Sequence, residues 1–162
     1  MIKKYLVILA LPMIILLACS KSDSYNNNCV STGGIPSTTE ISDLENYLST
    51  KGITATKDSR GFYYQIINAG YGTTAPTSSS TVQVKYKGTL TNGTVFDSTA
   101  AGSTAIFPLS GVILGWQYGV PLVKKTGIID LYLPPSLGYG CTTSEKIPQS
   151  SILIFRIELI NY

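Results

Sequence analysis

No histidine occurs among the 162 residues. Its absence removes the commonest general base and the commonest zinc ligand. It also excludes a Ser-His-Asp or Cys-His catalytic set within one chain. Charge is scarce as well: 13% of residues are Asp, Glu, Lys or Arg, and the formal balance is +3. Lys3 and Lys4 stand at the very start, and without them ten basic residues face nine acidic ones. Such a balance offers no clustered basic surface for nucleic acid. There is no Gly-rich phosphate loop, no internal repeat, and no apolar run of the roughly 20 residues that cross a bilayer as a helix. The length suggests one domain. Any catalysis must work without imidazole, and nothing in the residues calls for a metal or an organic cofactor.

The longest apolar run, Tyr5 to Leu17, follows Lys3 and Lys4 and ends in Leu16-Leu17-Ala18-Cys19. A positive start, a short apolar core and a small residue before the cut predict a signal peptide over 1–18. The cut site resembles a bacterial lipobox, with Cys19 as the lipidated first residue. An uncleaved anchor helix fits the run less well, because it is too short. Residues 19–38 read as a flexible tether: Asn26-Asn27-Asn28, Gly33-Gly34, Pro36 and many Ser and Thr residues leave too few apolar groups to offset ordering entropy. The expectation is a domain held at a membrane surface by acyl chains, in a bacterial cell envelope and there at the outer membrane. Cys29 and Cys141 remain. An export compartment lets disulfides persist, and a bridge between these two would tie the tether down. Sequence leaves the pairing open, since it depends on their Cα atoms coming within about 7 Å.

Residues 39–162 read as the folded domain. Ile41, Leu44 and Leu48 recur at helical spacing and predict a helix over 40–51. Ser37 and Glu40 form a candidate capping box and Gly52 a stop. The pattern then changes to period two. Phe62 to Ile67 is a strand. Val82, Val84 and Tyr86 alternate with Gln83, Lys85 and Lys87 on a half-wet strand. Asn92-Gly93 makes a tight turn into a returning strand, Thr94 to Ser98. Gly115 to Val123, containing Trp116, is a short helix that Pro121 should end or kink. Ile128 to Leu133 and Ile152 to Ile160 are the last strands, and Asp130 is expected to face solvent. The fold class is α+β, an antiparallel sheet with one short helix to cover its inner face and an extra N-terminal helix.

The ordered segments resemble a family. Val82 to Leu90 followed by Asn92-Gly93-Thr94-Val95-Phe96-Asp97-Ser98 is similar to the first half of an FKBP domain. Phe107-Pro108-Leu109, Val112-Ile113-Leu114-Gly115-Trp116 and Gly119-Val120 resemble the approach to its central helix. Leu133-Pro134, Leu137-Gly138-Tyr139-Gly140, Ile147-Pro148 and Phe155 to Leu159 resemble its second half. The resemblance implies a half-barrel of five to six strands wrapped around the short helix, with a pocket between the two. It implies peptidyl-prolyl cis-trans isomerase activity on proline-containing polypeptides, with Tyr86, Asp97, Ile113 and Tyr139 as the polar and catalytic contacts. Phe96, Phe107, Val112, Trp116, Ile147 and Phe155 would form the binding walls, and Trp116 the floor. A macrolide is a further ligand it implies. Ala105 stands where a second rim aromatic often does, and the 141–146 loop replaces a more apolar one. A non-catalytic binding module or chaperone of the same fold is the alternative. Taken singly, most of these side chains would be ordinary core residues; their joint order points to a pocket.

Overall fold

The computed structural model describes residues 33–162. The expected leader, Cys19, Cys29 and the first part of the expected tether lie outside the described residues. The chain continues with α1, Thr38–Thr50, whose start is set by the capping box: Ser37 Oγ accepts the Glu40 N–H and Glu40 accepts the Ser37 N–H. The cap moves the helix start two residues ahead of the apolar periodicity, and it ends at Thr50, one residue short of the expected end. Leu44 and Leu48 form its buried face.

Seven strands follow: β1 Thr56–Lys57, β2 Tyr63–Asn68, β3 Thr81–Leu90, β4 Val95–Ser98, β5 Ala105–Pro108, β6 Ile128–Leu133 and β7 Leu153–Asn161. All pairings are antiparallel, in the order β1-β2-β6-β7-β3-β4, with β5 also on β3. The strand number exceeds the expected five to six for two reasons. β1 is only two residues long, and one edge of β3 is shared by β4 and β5. The Asn92-Gly93 turn closes β3 onto β4, with Gly93 at φ 87°, where a side chain would be strained. Thr94 N–H bonds Asn92 Oδ1 at 2.9 Å.

Alternation along the central strands builds two cores. Val82 and Val84 of β3, Ile129, Leu131 and Leu133 of β6, and Leu153, Phe155, Ile157 and Leu159 of β7 face one cluster with Trp116. On the other face, Tyr132 and Ile154 meet Leu44, Leu48 and Tyr63, so α1 caps the back of the sheet. Glu40 also accepts hydrogen bonds from Ser136 N–H at 2.9 Å and Ser136 Oγ at 2.6 Å, tying the helix start to the segment after β6.

The short helix α2, Leu114–Gly119, continues as a 3-10 turn, Val120–Leu122. The expected single helix 115–123 therefore changes pitch at Val120, beside Pro121, which has no N–H to extend the α pattern. Gly115 and Gly119, one turn apart, let α2 lie close on the sheet. A Cβ on Gly115 would come within 2.3 Å of Leu133, and one on Gly119 within 2.5 Å of Leu131. Asp130 is a correction: it is buried, not solvent-facing. Its cross-strand partner Arg156 covers it and donates from Nε at 2.7 Å and from Nη2 at 2.6 Å. Phe107 and Pro108, expected on the approach to the helix, end strand β5 instead. Pro108 suits that edge because it has no N–H to offer a ladder.

Candidate active site

A cleft opens where α2 meets β3, β4, β5 and β7. Its volume is about 280 Å³, and it is lined by Tyr86, Asp97, Phe107, Gly111, Val112, Ile113, Trp116, Tyr139 and Phe155. Trp116 is buried, and three rings meet it near edge-on. Their centroids lie 5.2 Å away for Tyr86, 5.3 Å for Phe155 and 5.9 Å for Phe107, with interplanar angles of 82°, 86° and 88°. Edge-to-face packing suits the ring quadrupoles and fixes each ring's tilt. Among the described residues, the buried Trp116 Nε1–H meets no protein acceptor.

The polar groups sit around this floor. Tyr86 donates its hydroxyl to Asp97 Oδ2 at 2.6 Å, and the Ser98 N–H bonds Asp97 Oδ1 at 2.9 Å. Burial, then the Asp97 carboxylate, push the Tyr86 phenol far above the usual tyrosine range. Burial, with a smaller contribution from Asp97, also raises Tyr139, whose side chain stands half-exposed at the rim. Both phenols therefore stay protonated at neutral pH and remain donors. Ile113 is the N-cap of α2. Its carbonyl accepts from Trp116 and Gln117, and its own N–H has no protein acceptor among the described residues. Gln117 Nε2 braces the turn by donating to Val112 O at 2.8 Å.

Tyr86, Asp97, Ile113, Tyr139, Phe107, Val112, Trp116 and Phe155 thus line one cleft. Phe96 and Ile147 do not. They line an adjoining cleft of about 370 Å³ with Ser144, Glu145 and Lys146, and the two clefts share Asp97 and Tyr139. Phe96 reaches the first cleft only through Phe155, which it meets at 5.4 Å and 88°. Gly111, which also lines the first cleft, escapes a reading based on side chains because it contributes only backbone. Among the described residues no group of three His, Cys, Asp or Glu side chains is placed to hold a metal ion. The arrangement can shed water from an apolar group and orient it by hydrogen bonds at the rim.

The model of the family described as FKBP-type peptidyl-prolyl cis-trans isomerase matches residues 72–160. The chain is 43% identical over 119 residues to the FKBP-type peptidyl-prolyl cis-trans isomerase FkpA of Buchnera aphidicola, a match covering 73% of this chain and 46% of that protein. It is 42% identical over 118 residues to FkpA of Escherichia coli strain K12, covering 72% and 43%. The chain therefore spans less than half the length of these curated relatives. The crystal structure of Escherichia coli FkpA superposes with a TM-score of 0.67 at 40% identity, over 76% of this chain and 57% of that one. The crystal structure of AtFKBP13 superposes at 0.60 with 31% identity, over 67% of this chain and 98% of that one.

Proposed function

This chain belongs to the FKBP-type peptidyl-prolyl cis-trans isomerase family, and on that premise we propose that its cleft accelerates rotation about Xaa-Pro bonds in exported polypeptides. The observation that carries the reading is the buried Trp116 floor walled by the rings of Tyr86, Phe107 and Phe155, with Asp97 and the Tyr139 hydroxyl beside it in the same cleft.

Rotation breaks no covalent bond. Its barrier of about 18–20 kcal/mol is the loss of amide resonance, and the uncatalysed exchange takes tens to hundreds of seconds. Reaching about 10² to 10³ turnovers per second requires four to five decades, or roughly 5.5–7 kcal/mol. The planar amide is the more dipolar form, so water favours it. The aromatic walls remove that water and lower the relative cost of the twisted form. The prolyl ring lies over Trp116. The Ile113 N–H and the Tyr139 hydroxyl hydrogen-bond the flanking carbonyls in the geometry of the twisted amide, which makes the stabilisation selective for the transition state. Asp97, held by Tyr86, orders the polar side of the cleft. An apolar residue before proline fits these surroundings best, and a macrolide would compete for the same floor.

Upstream of the domain, Cys19 would carry acyl chains that hold the protein at the bacterial envelope, with the residues between it and the Ser37 cap as the leash. Palmitate incorporation that disappears in Cys19→Ala supports this part, and unlabelled wild type overturns it. For the isomerase itself, the experiment is proline-limited refolding of a test protein in the presence of micromolar chain. Acceleration of the slow phase supports the reading. Binding of a prolyl peptide with no acceleration would instead make the chain a binding module.

A further inference from the structure

The cleft that adjoins the Trp116 site has an apolar base and a charged rim. Phe96 and Ile147 form the base, and both are buried. Phe96 also packs edge-on against Phe155, a wall of the first cleft, so the two bases touch. Asp97, Glu145 and Lys146 stand at the rim, all three exposed. Among the described residues, none of the three belongs to an ion pair. Asp97 Oδ1 accepts from the Ser98 N–H and Oδ2 from the Tyr86 hydroxyl, which leaves each carboxylate oxygen room for a further donor. Two carboxylates against one ammonium give this rim a surplus of negative charge.

We propose that this second cleft selects among substrates: it takes a lysine or arginine side chain two residues from the isomerising proline, with Glu145 as the residue that sets the preference. The inference rests on the isomerase reading and names its substrate class. The two clefts share Asp97 and Tyr139 as walls. A polypeptide with its prolyl ring over Trp116 passes that shared wall within two residues, about 7 Å of extended chain. A long cationic side chain lays its methylene stem on apolar surface and keeps its charged head in water. Phe96 and Ile147 suit the stem, and Asp97 and Glu145 suit the head. A glutamate at the same position would meet two carboxylates. Lys146 acts in the opposite sense and moderates the preference without reversing it. The contact lies away from the rotating bond and is the same in ground and transition states, so it acts on KM and leaves kcat unchanged.

The experiment measures isomerisation by the full chain of two blocked peptide series, Xaa-Leu-Pro-Phe-Ala and Ala-Leu-Pro-Phe-Xaa, with Xaa as Lys, Gln or Glu. At low salt, kcat/KM in one series should favour Lys over Glu by about tenfold, two charge steps of about threefold each, which is the scale of an exposed ion pair. The difference should lie in KM. One molar salt shortens the screening length to about 3 Å and should bring the ratio within about twofold. Glu145→Gln should cut the low-salt ratio to about threefold, and Lys146→Gln should widen it to about thirtyfold. Neither residue lines the first cleft, so both variants should turn over the Gln peptides as the parent chain does. Equal rates for Lys and Glu in both series, a preference for Glu, or a Lys preference that Glu145→Gln leaves intact would each overturn the proposal. If no peptide is accelerated, the isomerase reading falls. The fluorescence of Trp116, the one tryptophan of the chain, then reads peptide affinity in its place. Tighter binding of the Lys peptides that Glu145→Gln weakens keeps the role of the second cleft, and equal affinities overturn it.

Discussion

Tyr86 and Asp97 are joined by a 2.6 Å hydrogen bond across the β3–β4 pair, diagonal to Gly88, which stands directly opposite Asp97. The carboxylate and the phenol both line the substrate cleft. The bond places one charged group among the lining residues and points it by means of a tyrosine that also walls Trp116.

Tyr86→Phe keeps the ring against Trp116 and deletes the donor. Its cost to stability should be about 0.5–1.5 kcal/mol, the range for one hydrogen bond, because Asp97 is exposed enough to take water instead. Its kcat/KM on a prolyl peptide should fall about three- to tenfold, the equivalent of a similar loss in the transition state. A double-mutant cycle with Asp97→Asn should show that the second change adds little. Additive losses would mean that the two side chains act separately.

The rate should be flat with pH between 6 and 9. The chain has no histidine, and burial holds Tyr86 and Tyr139 above the ordinary tyrosine value. Stability should then fall on the alkaline side. Tyr132 is pushed up to about 12, first by burial and then by Asp130. A folded pKa above the unfolded value means stability fully present below pH 10 and lost as pH rises from 10 through 12. Denaturant melts at stepped pH should show this loss, and Tyr132→Phe should reduce it, leaving the part that the raised Tyr86 and Tyr139 contribute.

Gly88→Ala should be costly although its backbone is ordinary. The new methyl would stand 2.6 Å from Phe96 Cζ and 2.9 Å from Phe155 Cε1. Both rings are fixed by their mutual edge-on contact. Overpacking of this kind costs about 1–3 kcal/mol. The displaced Phe155 should also weaken prolyl-peptide binding, which titration calorimetry would measure.

Much of this fold could be read from residue order because local signals and burial agree. Ser37 and Glu40 cap α1, Asn92-Gly93 turns β3 into β4, and β6 and β7 alternate cleanly. What could not be read depended on distant partners. β1 is too short to carry a period, and β5 is defined by its pairing with Thr81–Val84 more than by its own residues. Asp130 looks like an ordinary strand carboxylate until Arg156 is placed across from it. The same holds at the site. Residue order pointed to eight residues that line one cleft, but it could not show that Ile147 and Phe96 line the adjoining one instead.

Arg156→Ala should destabilise more than the loss of a surface ion pair, which is worth at most about 1 kcal/mol. It strips both donors from a buried carboxylate, and an unsatisfied buried acceptor costs about 1–3 kcal/mol. The loss should be recovered in large part by Arg156→Ala with Asp130→Ala, measured by urea unfolding.

The most direct test is the cis/trans exchange rate of a short peptide with an apolar residue before proline, followed by NMR at fixed substrate and increasing protein. The account predicts exchange that rises in proportion to the protein and is suppressed by Tyr139→Phe, with the spectrum of the folded domain unchanged. Exchange that stays at the uncatalysed rate while peptide resonances report binding in the cleft would contradict it.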